Sequence, residues 1–211
     1  MPRFSESFLR PKSSWRFDMR IFHQENFPRY HGKVICHMTD AKTGETQLYW
    51  EKDNVVTRDA GIQMARLMAD NTEPNFGAYM LAVGTGATGA VLAPDAPDDR
   101  QRKLNAELER KPFSSVTFRD ASGNAVAYYT NIVDFTTNFS EAEAVGPLNE
   151  MGIISPISSN PSTTNPNPNS FPTYDTTVDV SLYDVLLNYL TYSVVSKPSG
   201  SNLAFTWRFT F

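Results

Sequence analysis

Ala78-Tyr-Met-Leu-Ala-Val-Gly-Thr-Gly-Ala-Thr-Gly89 is the stretch at which two incompatible folds part company. Gly84, Gly86 and Gly89 satisfy G-x-G-x-x-G behind an apolar, strand-like run, the pattern of a dinucleotide-binding turn. That turn works only when a helix opens at once, so that a pyrophosphate meets free N–H groups at its N-terminus. Here the glycines run into Ala90-Val-Leu-Ala-Pro-Asp-Ala-Pro-Asp-Asp99. Pro94 and Pro97 each remove a helical N–H and crowd the preceding turn, and Ala93 and Ala96 are biased toward extended backbone. No regular alternation of strands and helices appears elsewhere. The glycines therefore end a β-strand in a loop, and the nucleotide reading is set aside.

Outward from that loop the chain reads as strands. Lys33–Thr39 and Thr46–Lys52 flank Asp40-Ala-Lys-Thr-Gly44, which has the Asp start and glycine of a hairpin turn. Thr57 caps the one convincing helix, Arg58 to about Ala69, and Asp59 suits the positive end of its dipole. Ile62, Ala65, Met68 and Ala69, with Met64 and Leu67 beside them, predict its apolar face. Asp98–Lys103 reads as charged and solvated, and Leu104–Arg110 as a short helix or a strand edge. Residues 112–119 and 125–135 predict a second hairpin around Asp120-Ala-Ser-Gly-Asn124, with Phe113, Val116, Phe118, Tyr128, Tyr129, Ile132, Val133 and Phe135 supplying β-formers.

Residues 155–175 bring Pro156, Pro161, Pro166, Pro168 and Pro172 among Ser, Thr and Asn, the composition of a long surface loop. Thr176–Tyr183 reads as a strand. Val185–Val195 fits either a strand or a helix. Leu203–Phe211 alternates, placing Leu203, Phe205, Trp207, Phe209 and Phe211 on one face. Many strands with one helix predict an all-β fold, an antiparallel β-sandwich (jelly-roll-like) or barrel, with one short α-helix at 58–69 and an extended N-terminal arm. Residues 1–32 form the arm and 33–211 a single β-sandwich domain.

The arm carries Phe4, Phe8, Trp15, Phe17, Phe22, Phe27 and Tyr30, with no helical or strand periodicity and with Pro2, Pro11 and Pro28 interrupting. Rings of this number must lie against something: the chain's own body, or a neighbouring subunit, in which case these seven are the contact residues. The arm is also basic, six Lys and Arg against three acidic side chains, and leaves the remainder at −7 of a total of −4. A basic arm on an acidic body suits self-association, whereas the overall balance argues against a nucleic-acid partner.

The residues that carry chemistry are sparse. Cys36 is alone, which excludes an internal disulfide and a cysteine metal site. Of the three histidines, His23, His31 and His37, the last two stand six apart with no acidic partner at a characteristic offset, so a surface or stacking role is expected. Asp98-Asp99 lacks the loop of a cation site, no G-x-S-x-G occurs, and Glu141, Glu143 and Glu150 form no evident acid/base pair. Asn138-Phe-Ser140 is a formal glycosylation sequon. No run of about 18 apolar residues predicts a membrane span, and the N-terminus shows no signal-peptide core. The expectation is a chain without catalytic, cofactor or metal residues, made in a reducing cytoplasm.

A resemblance rests on the order of several short pieces: Asn54-Val-Val-Thr-Arg-Asp-Ala-Gly61, Tyr79–Gly86, Leu104-Asn-Ala-Glu-Leu-Glu-Arg110, Phe139–Gly146, Asn149–Ile154 and Leu203–Phe211. In this succession, across residues 33–211, the chain resembles small structural proteins of tailed bacteriophages. The resemblance implies a non-enzymatic virion subunit of tail, baseplate, fibre or neck, without cofactor, partnered by copies of itself and by other virion proteins. A second reading is a receptor- or glycan-binding module at a tail tip, using the 155–175 loop on a rigid sandwich.

Overall fold

The computed structural model describes residues 31–69, 77–157, 162, 163, 167, 169–171 and 182–210. Within them the chain is a two-layer antiparallel β-structure with one helix, as its alternation predicts. The strands are β1 (His31–Asp40), β2 (Thr46–Asp53), β3 (Val55–Val56), β4 (Met80–Gly84), β5 (Gly89–Ala90), β6 (Ala93–Pro94), β7 (Glu107–Pro112), β8 (Ser115–Arg119), β9 (Ala125–Val126), β10 (Ile132–Phe139), β11 (Gly146–Ser155), β12 (Val185–Lys197) and β13 (Ser201–Thr210). The helix α1 spans Arg58–Ala69.

The two large sheets have the orders β2-β1-β13-β10-β8-β9 and β3-β12-β11-β4-β7, and β5 and β6 form a separate two-stranded hairpin. The β1–β2 hairpin turns where expected: Asp40 Oδ1 accepts the N–H groups of Lys42 and Thr43 at 2.9 Å each, and Gly44 takes φ 73°. Between the sheets, Val34 and Cys36 of β1 and Leu203, Phe205 and Trp207 of β13 meet Leu81 and Val83 of β4, Met151 and Ile153 of β11, and Leu190 and Tyr192 of β12. Burial pushes the Cys36 thiol up to about 12, the behaviour of an inert core side chain. On the outer face of the second sheet Met80, Ala82, Ile154, Leu186 and Tyr189 pack with Leu104 from the segment after the glycine loop.

Several sequence expectations change. Val185–Val195 is strand, part of β12, and its near-continuous burial comes from being covered on both faces, which erases the alternation that would have marked it. Residues 125–135 are not one strand. β9 pairs with one edge of β8 and β10 with the other (Phe118↔Val126, Val133↔Phe118), so the chain crosses over between them. Leu104–Arg110 is neither helix nor wholly strand; its last four residues begin the edge strand β7. Leu182 and Tyr183 are outside any strand, and 176–181 lie outside the described residues.

The 155–175 segment is not simply a surface loop: Ser155 belongs to β11, and Asn167 and Phe171 are buried. Phe171 packs on Tyr183 and Val185. Arg102, expected in a solvated run, is buried as well. Finally, the described part of α1 turns Asp59, Ala60 and Gln63 inward, while Ile62 and Met64 are exposed. A buried ion pair at the helix start, described next, sets this rotation. The side chains of Ala65, Leu67, Met68 and Ala69 are outside the described residues.

Candidate functional site

The glycine loop is held by a dense set of hydrogen bonds, and it closes on a residue of its own chain. Strand β11 carries Glu150 at full burial, beside the end of β4. Its Oε1 accepts the N–H groups of Gly86 at 2.9 Å and Ala106 at 2.8 Å. Its Oε2 accepts the N–H of Asn105 at 3.0 Å and the Tyr189 hydroxyl at 2.7 Å. Asn149 Oδ1 takes the next loop donor, Ala87 N–H, at 3.0 Å, and the Asn105 amide donates back to the Gly86 carbonyl at 3.0 Å.

Both carboxylate oxygens are thus served twice, three times by oriented backbone amides. A nest of amides of this kind holds anions, and here the anion is built in. The glycines are required by close approach. A Cβ on Gly86 would lie 2.4 Å from Ala106 N and 2.7 Å from Glu150 Oε1, and one on Gly84 would lie 2.5 Å from Ala106 O.

Two further ionic clusters surround this cage. Arg110 of β7 is buried and donates from Nη2 to Glu107 Oε2 at 2.7 Å, from Nη1 to Asp184 Oδ2 at 2.7 Å and from Nη2 to Ser170 Oγ at 2.9 Å. Burial works against its charge, but Glu107 and then Asp184 outweigh it and raise its pKa. Asp184 also accepts Ile157 N–H at 3.0 Å, so one guanidinium–carboxylate pair ties together both ends of the Pro/Asn-rich segment.

Arg102 meets Asp59, in the first turn of α1, through Nε and Oδ2 at 3.0 Å and through Nη2 and Oδ1 at 3.1 Å. Its guanidinium also lies 4.8 Å from the centre of the Phe171 ring. Burial nevertheless raises the Asp59 pKa, with Arg102 opposing. The helix cap is as expected, Ala60 N–H to Thr57 Oγ1 at 3.2 Å. The Thr57 hydroxyl also donates to the Leu186 carbonyl, fastening α1 to β12.

Four of the quoted sequence pieces contribute to these networks, through Thr57 and Asp59, Gly86, Asn105 to Glu107 with Arg110, and Asn149-Glu150. Glu150 escaped sequence reasoning. The signal for it was a lone charge in the apolar run Leu148–Ile154, which needs a set of donors wherever it is buried.

The other candidates are placed as follows. His37 Nε2 bonds Thr46 Oγ1 at 2.9 Å and its ring meets Tyr49 edge-on, a surface stacking role. Asp99 pairs with Arg58 at 3.0 Å, and Asp98 Oδ1 accepts Arg100 N–H at 2.9 Å. Among the described residues no group of three or more His, Cys, Asp or Glu side chains could hold a metal, and no helix is long and apolar enough to cross a membrane. Phe4, Phe8, Trp15, Phe17, Phe22, Phe27 and Tyr30, with His23, lie outside the described residues, as does the side chain of His31.

Large apolar side chains are exposed at several places on the described surface. Tyr129, Tyr128 and Val116 are 88, 64 and 51% exposed at the β8–β9 margin of the first sheet. Val91 and Leu92 are 66 and 79% exposed at the tip of the β5–β6 hairpin. That tip is held rather than loose: Val194 N–H donates to Val91 O at 3.1 Å and Ser193 Oγ to Leu92 O at 2.6 Å. At the end of the sandwich, α1 and both sheets leave an apolar groove of about 190 Å³, lined by residues that include Val56, Ala60, Gln63, Phe135, Leu187 and Asn188.

No protein-family model and no curated protein sequence matches the chain.

Proposed function

We propose that the chain is a non-enzymatic structural subunit of a tailed-bacteriophage virion, held in the tail, baseplate or neck region by contacts with its own copies and with other virion proteins. The observation that carries this reading is the set of rings and aliphatic side chains left in water at two firmly built places, the β8–β9 margin and the hairpin tip. Exposed apolar patches mark contact surfaces, and a sheet margin is in addition a template for pairing. The glycine loop supports the same reading: Glu150 and Asn149 take its amides, so the loop works as an internal clasp. The virion context is suggested by the resemblance of the ordered sequence pieces to phage structural proteins.

The test is incorporation into particles. Tyr129→Lys combined with Leu92→Lys alters only exposed side chains, so the variant should fold with an unchanged thermal transition yet be missing from purified particles. Incorporation at the level of the unaltered chain would reject the reading.

A further inference from the structure

Strands β5 and β6 pair through Gly89↔Pro94 and Ala90↔Ala93, which makes Val91 and Leu92 the two-residue turn between them. Hairpin turns of this length ordinarily hold Gly, Asn or Asp. Here they hold the one adjacent pair of large aliphatic side chains that the fold leaves exposed, among the described residues. Apolar groups set in water at a defined place mark a contact. The turn is braced from behind as well. Asp95 N–H donates to Thr88 O at 2.8 Å, and three bonds reach β12: Val194 N–H to Val91 O at 3.1 Å, Ser193 Oγ to Leu92 O at 2.6 Å and Thr191 Oγ1 to Asp95 O at 2.7 Å. A tip already held in one conformation loses little entropy on docking.

Further along β12 lies a hole of matching chemistry. Val56, Ala60, Met64, Phe135, Leu187 and Phe209 wall the groove of about 190 Å³ at the end of the sandwich. Gln63 and Asn188 line it too, but Gln63 Nε2 is spent on Ser155 Oγ, and Gln63 Oε1 and both polar atoms of Asn188 are sealed from solvent. The surface offered to an occupant is therefore almost wholly apolar, and it favours an aliphatic side chain over any group that needs a hydrogen bond there. A cavity of about 150 Å³ takes a benzene-sized body, so the groove has room for one leucine side chain with its neighbour at the rim.

The tip does not reach the groove of its own body. Ser193 and Val194 hold the tip, whereas Leu187 and Asn188 of the same strand line the groove. Six positions separate Asn188 from Val194, roughly 20 Å at about 3.3 Å per residue. An apolar projection at one place and an apolar pocket at another place on one molecule make a heterologous contact between copies, which closes to a ring or grows as a filament. We propose that the groove receives the Val91–Leu92 tip of a second copy of this chain, with Leu92 entering and Val91 at the rim. The inference rests on the assembly reading above and adds which two surfaces meet and that the contact runs head to tail.

Full-length chains carrying Ala93→Cys, exposed beside the tip, and Met64→Cys, exposed at the groove's rim, are mixed and oxidised. Cys36 stays in place because its buried thiol does not exchange. A tip and a groove of this size make a small contact, which oxidation traps. The expected product is a disulfide-linked mixed dimer, enriched about tenfold over the pairing of Ala93→Cys with Tyr49→Cys, an exposed control on β2, because docking raises the local concentration. Adding Leu92→Ser, which alters only an exposed side chain, to the Ala93→Cys chain should remove the enrichment.

No enrichment, enrichment that survives Leu92→Ser, or a disulfide that forms only when both cysteines share one chain overturns the proposal. Particle incorporation of Tyr129→Lys combined with Leu92→Lys separates the two levels. A failed cross-link with that variant still missing from particles overturns the seat and leaves the assembly reading standing; normal incorporation overturns both.

Discussion

Glu150 shows how one side chain organises a loop. Its carboxylate accepts from Gly86, Asn105, Ala106 and Tyr189, so replacing one oxygen by an amide sets two N–H donors against each other. Glu150→Gln should cost about 2–3 kcal/mol, and Tyr189→Phe, which deletes one donor, about 1–2 kcal/mol, both read from urea unfolding midpoints. Equal stability of all three proteins would mean that the cage does not hold the loop.

Two glycines give opposite signs in the same assay. Gly86→Ala drives a methyl into Ala106 N and Glu150 Oε1 and should cost about 1–3 kcal/mol as overpacking. Gly61→Ala meets nothing within 4 Å on the exposed side of α1 and should add about 0.5–1 kcal/mol through helix propensity. A loss at position 61 or a gain at 86 would contradict the close-approach argument.

At the scale of elements, strands are tied across the sheet by ions as well as by their ladders. Asp134 of β10 is buried between Arg119 of β8 and Arg208 of β13, at 2.6 and 2.7 Å. Burial would raise its pKa, but the two guanidinium groups, Arg208 first, outweigh that and hold the carboxyl below its ordinary value. A carboxyl depressed in the folded state contributes stability above the pKa of the unfolded chain, about 3.9, and loses that contribution as pH falls through the folded value. Asp134→Asn should therefore cost about 1–2 kcal/mol at neutral pH, reduced from a buried pair because both arginines reach solvent. The deficit should shrink as pH falls below about 4. A deficit independent of pH in acid would assign the loss to packing instead.

Such ties also explain which elements were legible in sequence. The β1–β2 hairpin and β13 announce themselves by alternation and turn residues, because each has one wet and one dry face. Strand β12 and the inward turn of Asp59 and Gln63 on α1 do not, because their environments are set by partners distant in the chain: β11, Arg102 and Ser155.

For the whole molecule the question is what the arm does. Deleting residues 2–30 should leave the unfolding transition in place, since the inter-sheet core begins at Val34, while lowering the mass measured by light scattering. A truncated chain that assembles like the intact one would reject the arm as a contact element. By itself the sequence determined the antiparallel all-β character, the helix and its cap, the β1–β2 turn, the burial of Cys36 and the absence of a helix after Gly86. All of these follow from local backbone preference and side-chain periodicity. Tertiary structure alone decided that the glycine loop encloses Glu150, that Arg102 and Arg110 are buried, and that the Asn188 carboxamide is buried without a hydrogen-bond partner. The reason is physical: these states depend on groups that are far apart along the chain and meet only when the sheets close, and no local pattern encodes which donor will face which acceptor.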